Sequence, residues 1–304
     1  MRPRLRYRGL ALTPASSVSL LTARQLGLPA PLPRPLQDIA FLSRLACTAT
    51  DVFPAIAADL TAPLLNPEPP TYCLAWCPVP GFRHLLAIAN EDGRLAVQDC
   101  ILPSPSTAPA GSPCHDNAVF DLAWSEVSAD RLVTVAGDQQ AALWDLAGGD
   151  TALVSRLAGH TRSVKCVDWR PGAGAEFATG ARDNTVLVWD ARSGTRGPEN
   201  AVRGAHEAAG RIGAGRRKGS GAGPGVVTGL VWLDSHTLAS AGDGDGRVKV
   251  WDLRKNYSLY RGEPLPRQEL LHPGGSSTKG FTSLSLGPAA AQLFVSCMDD
   301  TVYR

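Results

Sequence analysis

Three groups of side chains in this 304-residue chain have the composition of a hydrolytic triad. They are His115, Thr134 and Asp138; His160, Thr179 and Asp183; and His206, Ser240 and Asp245. A hydroxyl beside an imidazole that a carboxylate orients is the arrangement that activates a nucleophile. The same groups can also form a passive chain in which each satisfies the others inside a core. Repetition decides between the two. An active site is normally singular, whereas three copies at matching positions belong to the architecture. Each aspartate is also followed by a tryptophan, Trp144, Trp189 or Trp251, whose indole N–H needs an acceptor once buried. Other catalytic patterns are missing: no G-x-S-x-G, no phosphate-binding loop, no H-E-x-x-H, and no glycine-rich dinucleotide fingerprint leading into a helix. Gly242-Asp243-Gly244-Asp245-Gly246 has no ligating glutamate at calcium-loop spacing and reads as a turn.

The clearest of the elements that would position these groups is Ala175 to Arg192. Phe177 to Ala181 reads as a strand, Arg182-Asp183-Asn184 as a tight turn and Thr185 to Trp189 as a second strand, rich in β-branched residues. Upstream stands Gly159-His160, and Gly-His followed by Trp-Asp is the signature of one blade of a WD40 β-propeller. The unit recurs. Trp124 to Trp144 and Trp169 to Trp189 each span 20 residues, and Trp232 to Trp251 spans 19. First-strand tryptophans Trp76, Trp124, Trp169 and Trp232 are separated by 48, 45 and 63 residues, so the last interval carries an insertion. In the first unit Gln98-Asp99 replaces Trp-Asp. A fifth begins near Phe281 and stops at Arg304, one residue short of the expected closing aromatic. The sequence therefore predicts an all-β WD40 propeller over residues 71–304 with about five blades. The last blade is incomplete, and about seven are expected in a full protein of which this is a fragment.

Composition narrows the remaining classes. A formal net charge of +2 makes no case for direct nucleic-acid or membrane binding, and no apolar run is long enough for a spanning helix. Seven cysteines lack the spacing of a metal site or disulfide framework, so they read as reduced, buried thiols with no metal. No cofactor or small-molecule substrate is expected. Residues 1–70 are rich in Pro, Ala and Arg, without acids as far as Gln37. They read as a poorly ordered leader or a degenerate first blade, with a mitochondrial transit peptide as the competing reading. The Gly-rich insertion at 204–225 carries Arg211, Arg216, Arg217 and Lys218. Nuclear import or phosphate contact is one reading of that basic loop, and a solvated charge cluster is the other.

Several segments go beyond the generic repeat: NAVFDLAW from Asn117, VTVAGD from Val133, RVKVWDLRKNYSLYRGEP from Arg247 and PGGSST from Pro273. With these the chain resembles the denticleless family of WD40 proteins over residues 72–304. The resemblance implies a non-catalytic substrate-recognition adaptor of a cullin-4 RING ubiquitin ligase. Such a protein would dock on the ligase's propeller adaptor and direct PCNA-bound degron substrates, replication and cell-cycle regulators, to ubiquitination on chromatin in the nucleus. The W-D-x-R motif associated with that adaptor occurs at Trp189, Asp190 and Arg192 and at Trp251, Asp252 and Arg254. At Trp144-Asp145-Leu146-Ala147 the arginine is missing. An arginine just past a strand end reaches a propeller rim and can offer forked hydrogen bonds to a partner, or merely pair with a neighbouring acid. Substrate contacts are not assigned, although His115, Lys165 and Arg182 fall near predicted strand ends or turns. The competing functions are a generic WD40 scaffold of another nuclear or cytoplasmic complex and, less favoured, an enzyme using the repeated His and Asp residues.

Overall fold

A computed structural model describes residues 70–100, 112–147, 152–193, 197–206, 225–259, 264–272, 280–287, 292–299 and 301–304. The leader at 1–69 and the basic residues Arg211, Arg216, Arg217 and Lys218 lie outside the described residues.

The repeat becomes five antiparallel sheets, each built from consecutive strands. The first holds β1 (Thr71–Trp76), β2 (Leu85–Asn90), β3 (Arg94–Asp99) and β4 (Ser112–Pro113). The second holds β5 (Val119–Trp124), β6 (Arg131–Ala136), β7 (Gln140–Asp145) and β8 (Ala152–Ala158). The third holds β9 (Val164–Trp169), β10 (Glu176–Ala181), β11 (Thr185–Asp190) and β12 (Asn200–Arg203). The fourth holds β13 (Val227–Trp232), β14 (Thr237–Gly242), β15 (Arg247–Asp252) and β16 (Gln268–Leu271). The fifth holds β17 (Phe281–Leu286), β18 (Leu293–Cys297) and β19 (Val302–Tyr303). First strands of successive sheets are neighbours, β1 beside β5, β5 beside β9, β9 beside β13 and β13 beside β17. These are five blades of a WD40 propeller.

Between blades the core is dry. Val133 and Leu143 of blade two meet Trp169, Phe177, Leu187 and Trp189 of blade three, all nearly inaccessible. The Trp169 and Phe177 rings sit 5.3 Å apart, a separation at which tilted aromatics add to simple area burial. Middle strands β6, β10 and β14 are buried on both faces, their small and apolar residues interrupted by the buried hydroxyls of Thr134, Thr179 and Ser240.

Two polar devices also cross the seams. The indole N–H of Trp124 donates to Ala75 O at 2.9 Å, that of Trp169 to Ala123 O at 2.9 Å, and that of Trp232 to Asp168 O at 3.2 Å. Trp124, Trp169 and Trp232 thus tie their blades to the preceding ones. In addition, Asp121 Oδ2 accepts from Val167 N at 3.0 Å and Asp168 Oδ2 from Trp232 N at 2.8 Å. Neither device was legible in the sequence, because each pairs a side chain with the backbone of a different repeat.

Candidate functional site

In blades two to four the hairpin between the second and third strands turns on an aspartate, and the turn explains the residue types. One carboxylate oxygen accepts from the backbone two residues on: Asp138 from Gln140 N, Asp183 from Thr185 N and Asp245 from Arg247 N, all at 3.1 Å. The residue after the aspartate takes a left-handed conformation, φ 70° at Gln139, 62° at Asn184 and 58° at Gly246. The other carboxylate oxygen is left facing the preceding histidine.

The three sets meet as chains. His115 Nδ1 is 2.8 Å from Asp138 Oδ2 and its Nε2 is 2.8 Å from Thr134 Oγ1. His160 Nδ1 is 3.1 Å from Asp183 Oδ2 and its Nε2 2.8 Å from Thr179 Oγ1. His206 Nδ1 is 3.0 Å from Asp245 Oδ2 and its Nε2 2.7 Å from Ser240 Oγ. The indoles of Trp144, Trp189 and Trp251 donate to the same hydroxyls at 2.9, 2.9 and 2.8 Å. An indole N–H can only donate, so each hydroxyl accepts from it and turns its own proton toward Nε2. Nδ1–H then points at the carboxylate. Burial alone would raise these aspartates, but the imidazole, joined by backbone donors at Asp138 and Asp183 and by the Lys249 ammonium at Asp245, outweighs it and holds all three below their ordinary values. Thr134, Thr179 and Ser240 have no exposed surface, so no substrate reaches the hydroxyls. The triad composition is a load path through the blade.

Blade four adds a member that the sequence left unmarked: Lys249 Nζ lies 3.2 Å from Asp245 Oδ2 and donates to Ala205 O at 2.7 Å. Blade five keeps a remnant. His272 Nε2 is 3.1 Å from Asp299 Oδ2, which also accepts from the Tyr303 hydroxyl at 2.5 Å. Here the hydroxyl position of the second strand is Val295, so the ring presents Nε2 rather than Nδ1 to the acid. Among the described residues His272, Cys297 and Asp299 form the one group with three metal-donor atoms within 4.8 Å. Two hydrogen bonds already engage the Asp299 oxygen that faces His272, and burial holds the Cys297 thiol protonated, so the cluster reads as part of the frame.

At the opposite ends of the strands lie the two W-D-x-R motifs. Trp189 and Trp251, expected at the adaptor contact, are 2% and 0% exposed. Their indoles are spent on Thr179 and Ser240, which removes both from any docking surface. The arginines behave differently. Arg192 Nε and Nη2 donate to Asp190 at 3.0 and 2.7 Å, and Arg254 Nε and Nη2 donate to Asp252 at 2.8 and 2.7 Å. The backbone N–H groups of Arg192 and Arg254 donate to the same aspartates, at 2.8 and 3.2 Å. In blade two Ala147 N makes the same turn contact with Asp145 at 2.8 Å, without a guanidinium. Hydrogen bonds from Arg192 and Arg254 hold the Asp190 and Asp252 carboxyls below the usual carboxylate range. Yet the arginine side chains remain 70% and 64% exposed. Each guanidinium is aimed by its own aspartate while still open to a partner. Arg254, but not Arg192, lines a groove with Arg170, Glu176, Glu199, Trp232 and His236.

Five such blades define the protein class: a WD40-repeat propeller, and the WD domain, G-beta repeat family model matches residues 151–190 and 217–252. The chain is 38% identical over 278 residues to the protein lethal(2)denticleless of Drosophila melanogaster, covering 86% of this chain and 36% of that protein. It is 40% identical over 251 residues to a denticleless protein homolog of Xenopus tropicalis, covering 77% of this chain and 35% of the homolog. With a denticleless protein homolog of Homo sapiens it shares 38% over 257 residues, 78% of this chain and 34% of the homolog. The chain is a WD40 protein of the denticleless family, and it spans about a third of the length of these curated relatives.

Proposed function

We propose that this chain is the propeller part of a substrate-recognition adaptor of a cullin-4 RING ubiquitin ligase, directing PCNA-bound replication and cell-cycle regulators to degradation in the nucleus. It supplies binding surfaces and no catalytic group. The observation that carries the reading is the matched pair Arg192 and Arg254, fixed by Asp190 and Asp252 in one geometry on neighbouring blades and largely exposed. A pre-aimed guanidinium loses little conformational freedom when it binds and offers forked donors to carboxylates or carbonyls. Family membership and the general use of WD40 propellers in protein–protein contacts support the same assignment.

The test is recovery of the ligase's propeller adaptor from nuclear extract by the tagged chain. Wild type is expected to bring it down, and Arg192→Ala plus Arg254→Ala is expected to lose it while remaining folded. Equal recovery by the double variant would remove the docking role from these residues.

A further inference from the structure

The ends of the strands remote from Arg192 and Arg254 carry a second, different constellation. In blade three Val164 pairs with Ala181, so Lys165 at the start of β9 and Arg182 after β10 share one edge of the sheet. Asp190 pairs with Glu176 at the other edge. A six-residue strand separates the two, roughly 17–20 Å.

At this edge the Lys165 ammonium lies over the Phe120 ring of blade two, 3.0 Å from its centroid. Phe120 in turn stacks on Tyr72 of blade one, with centroids 6.0 Å apart and planes inclined by 19°. Three consecutive blades therefore contribute to one patch. Among the described residues neither Lys165 nor Arg182 forms an ion pair, although acids engage Arg156, Arg170, Arg192, Arg247, Lys249 and Arg254. Burial and the neighbouring Arg182 push the Lys165 ammonium below the ordinary lysine value. An anion placed between the two cations would relieve that repulsion.

We propose that Lys165 and Arg182, backed by the Phe120–Tyr72 aromatic ledge, bind the carboxylate of an aspartate or glutamate in a protein segment lying across this face. Charge complementarity limits the occupant. Two cations suit a single carboxylate, whereas a nucleic-acid strand lays successive phosphates across the face and would set one against Glu91 beside the Tyr72 hydroxyl. The exposed Tyr72 and half-buried Phe120 offer apolar surface to the residue next to the acid. That the segment belongs to a ligase substrate rests on the function proposed above; the site itself does not.

The experiment is selection of a displayed random-peptide library on the full chain alone, followed by affinity measurement of the enriched peptides. Enrichment of Asp and Glu beside an apolar residue is expected. Those peptides should bind Lys165→Gln and Arg182→Gln at least about tenfold more weakly, the scale of one charge-assisted contact, and Arg192→Ala/Arg254→Ala equally well. Arg182 is exposed, so its variant keeps the test open if Lys165→Gln does not fold. Absence of acidic enrichment, or unchanged affinity in both variants, would overturn the site. Tighter binding after replacing the acid by phosphoserine, or displacement by a single-stranded oligonucleotide at equal concentration, would overturn the carboxylate assignment. Because no ligase component is present, failure here and failure of adaptor docking are separate results.

Discussion

Asp183 serves two partners at once: Oδ1 closes the turn through Thr185 N, and Oδ2 meets His160 and Thr161 N, at 3.1 and 2.8 Å. Its replacement opens the turn and leaves a buried imidazole, 8% exposed, without its acceptor. An unsatisfied buried polar group costs about 1–3 kcal/mol. Asp183→Ala is therefore expected to lower the melting temperature by several degrees, at about 2–4 °C per kcal/mol for a domain of 150–250 residues. An unchanged melting temperature would contradict the frame assignment. Arg192→Ala is expected to leave it where it is, since an exposed ion pair contributes little to folding. This division was partly legible in sequence. The histidines, hydroxyls and aspartates of blades two and three stood out because identical side chains recur at equal spacing, and blade four repeats the types with Ser240 and a longer interval after His206. The His272–Asp299 remnant did not, because Val295 removes the hydroxyl. Placing Trp189 and Trp251 at the contact failed for a related reason. A motif names residues together, but alternation along β11 and β15 sends the indole inward, while the arginine lies past the strand end.

At the scale of elements, the blades depend on groups that no single repeat contains. The Trp169 indole donates across the seam to Ala123 O. Trp169→Phe keeps most of the apolar volume but strands that carbonyl, and is expected to cost about 1–2 kcal/mol in chemical unfolding, without changing the registers within blades two and three. Wild-type stability after the change would mean that the donor does not hold the seam. The aspartate latches predict a pH dependence. Burial raises Asp121 and Asp168 to about 7, despite backbone donors that favour the charged form. An ordinary carboxyl in the unfolded chain has lost its proton by about pH 4. Between about 4 and 7 the folded state therefore holds protons that the unfolded state has released, and stability falls as pH rises through this window. The His-paired aspartates, lowered in the fold, contribute oppositely, and their stabilisation is lost only on acidification below the ordinary carboxylate range. Melting temperature should thus decline from pH 5 to 8, and Asp121→Asn with Asp168→Asn should flatten that slope whatever it does to absolute stability. An equal slope in the double variant would contradict the burial of two charges at the seams.

As a whole molecule, the propeller presents different charged groups at its two sets of strand ends. One set of strand ends carries the matched arginines Arg192 and Arg254, and the other carries Lys165 and Arg182 over an aromatic ledge. Between them lies the repeated chain of histidine, hydroxyl, aspartate and tryptophan, whose hydroxyls are fully buried. The proposed function assigns docking to the exposed arginines and support to the buried frame. Its most direct measurement is the dissociation constant of the full chain for the purified cullin-4 propeller adaptor, taken with the melting temperature for each variant. Arg192→Ala/Arg254→Ala is expected to weaken binding by about a hundredfold or more, roughly tenfold for each anchor, at an unchanged melting temperature. An unchanged dissociation constant, or a loss that appears only alongside a matching fall in melting temperature, would contradict it.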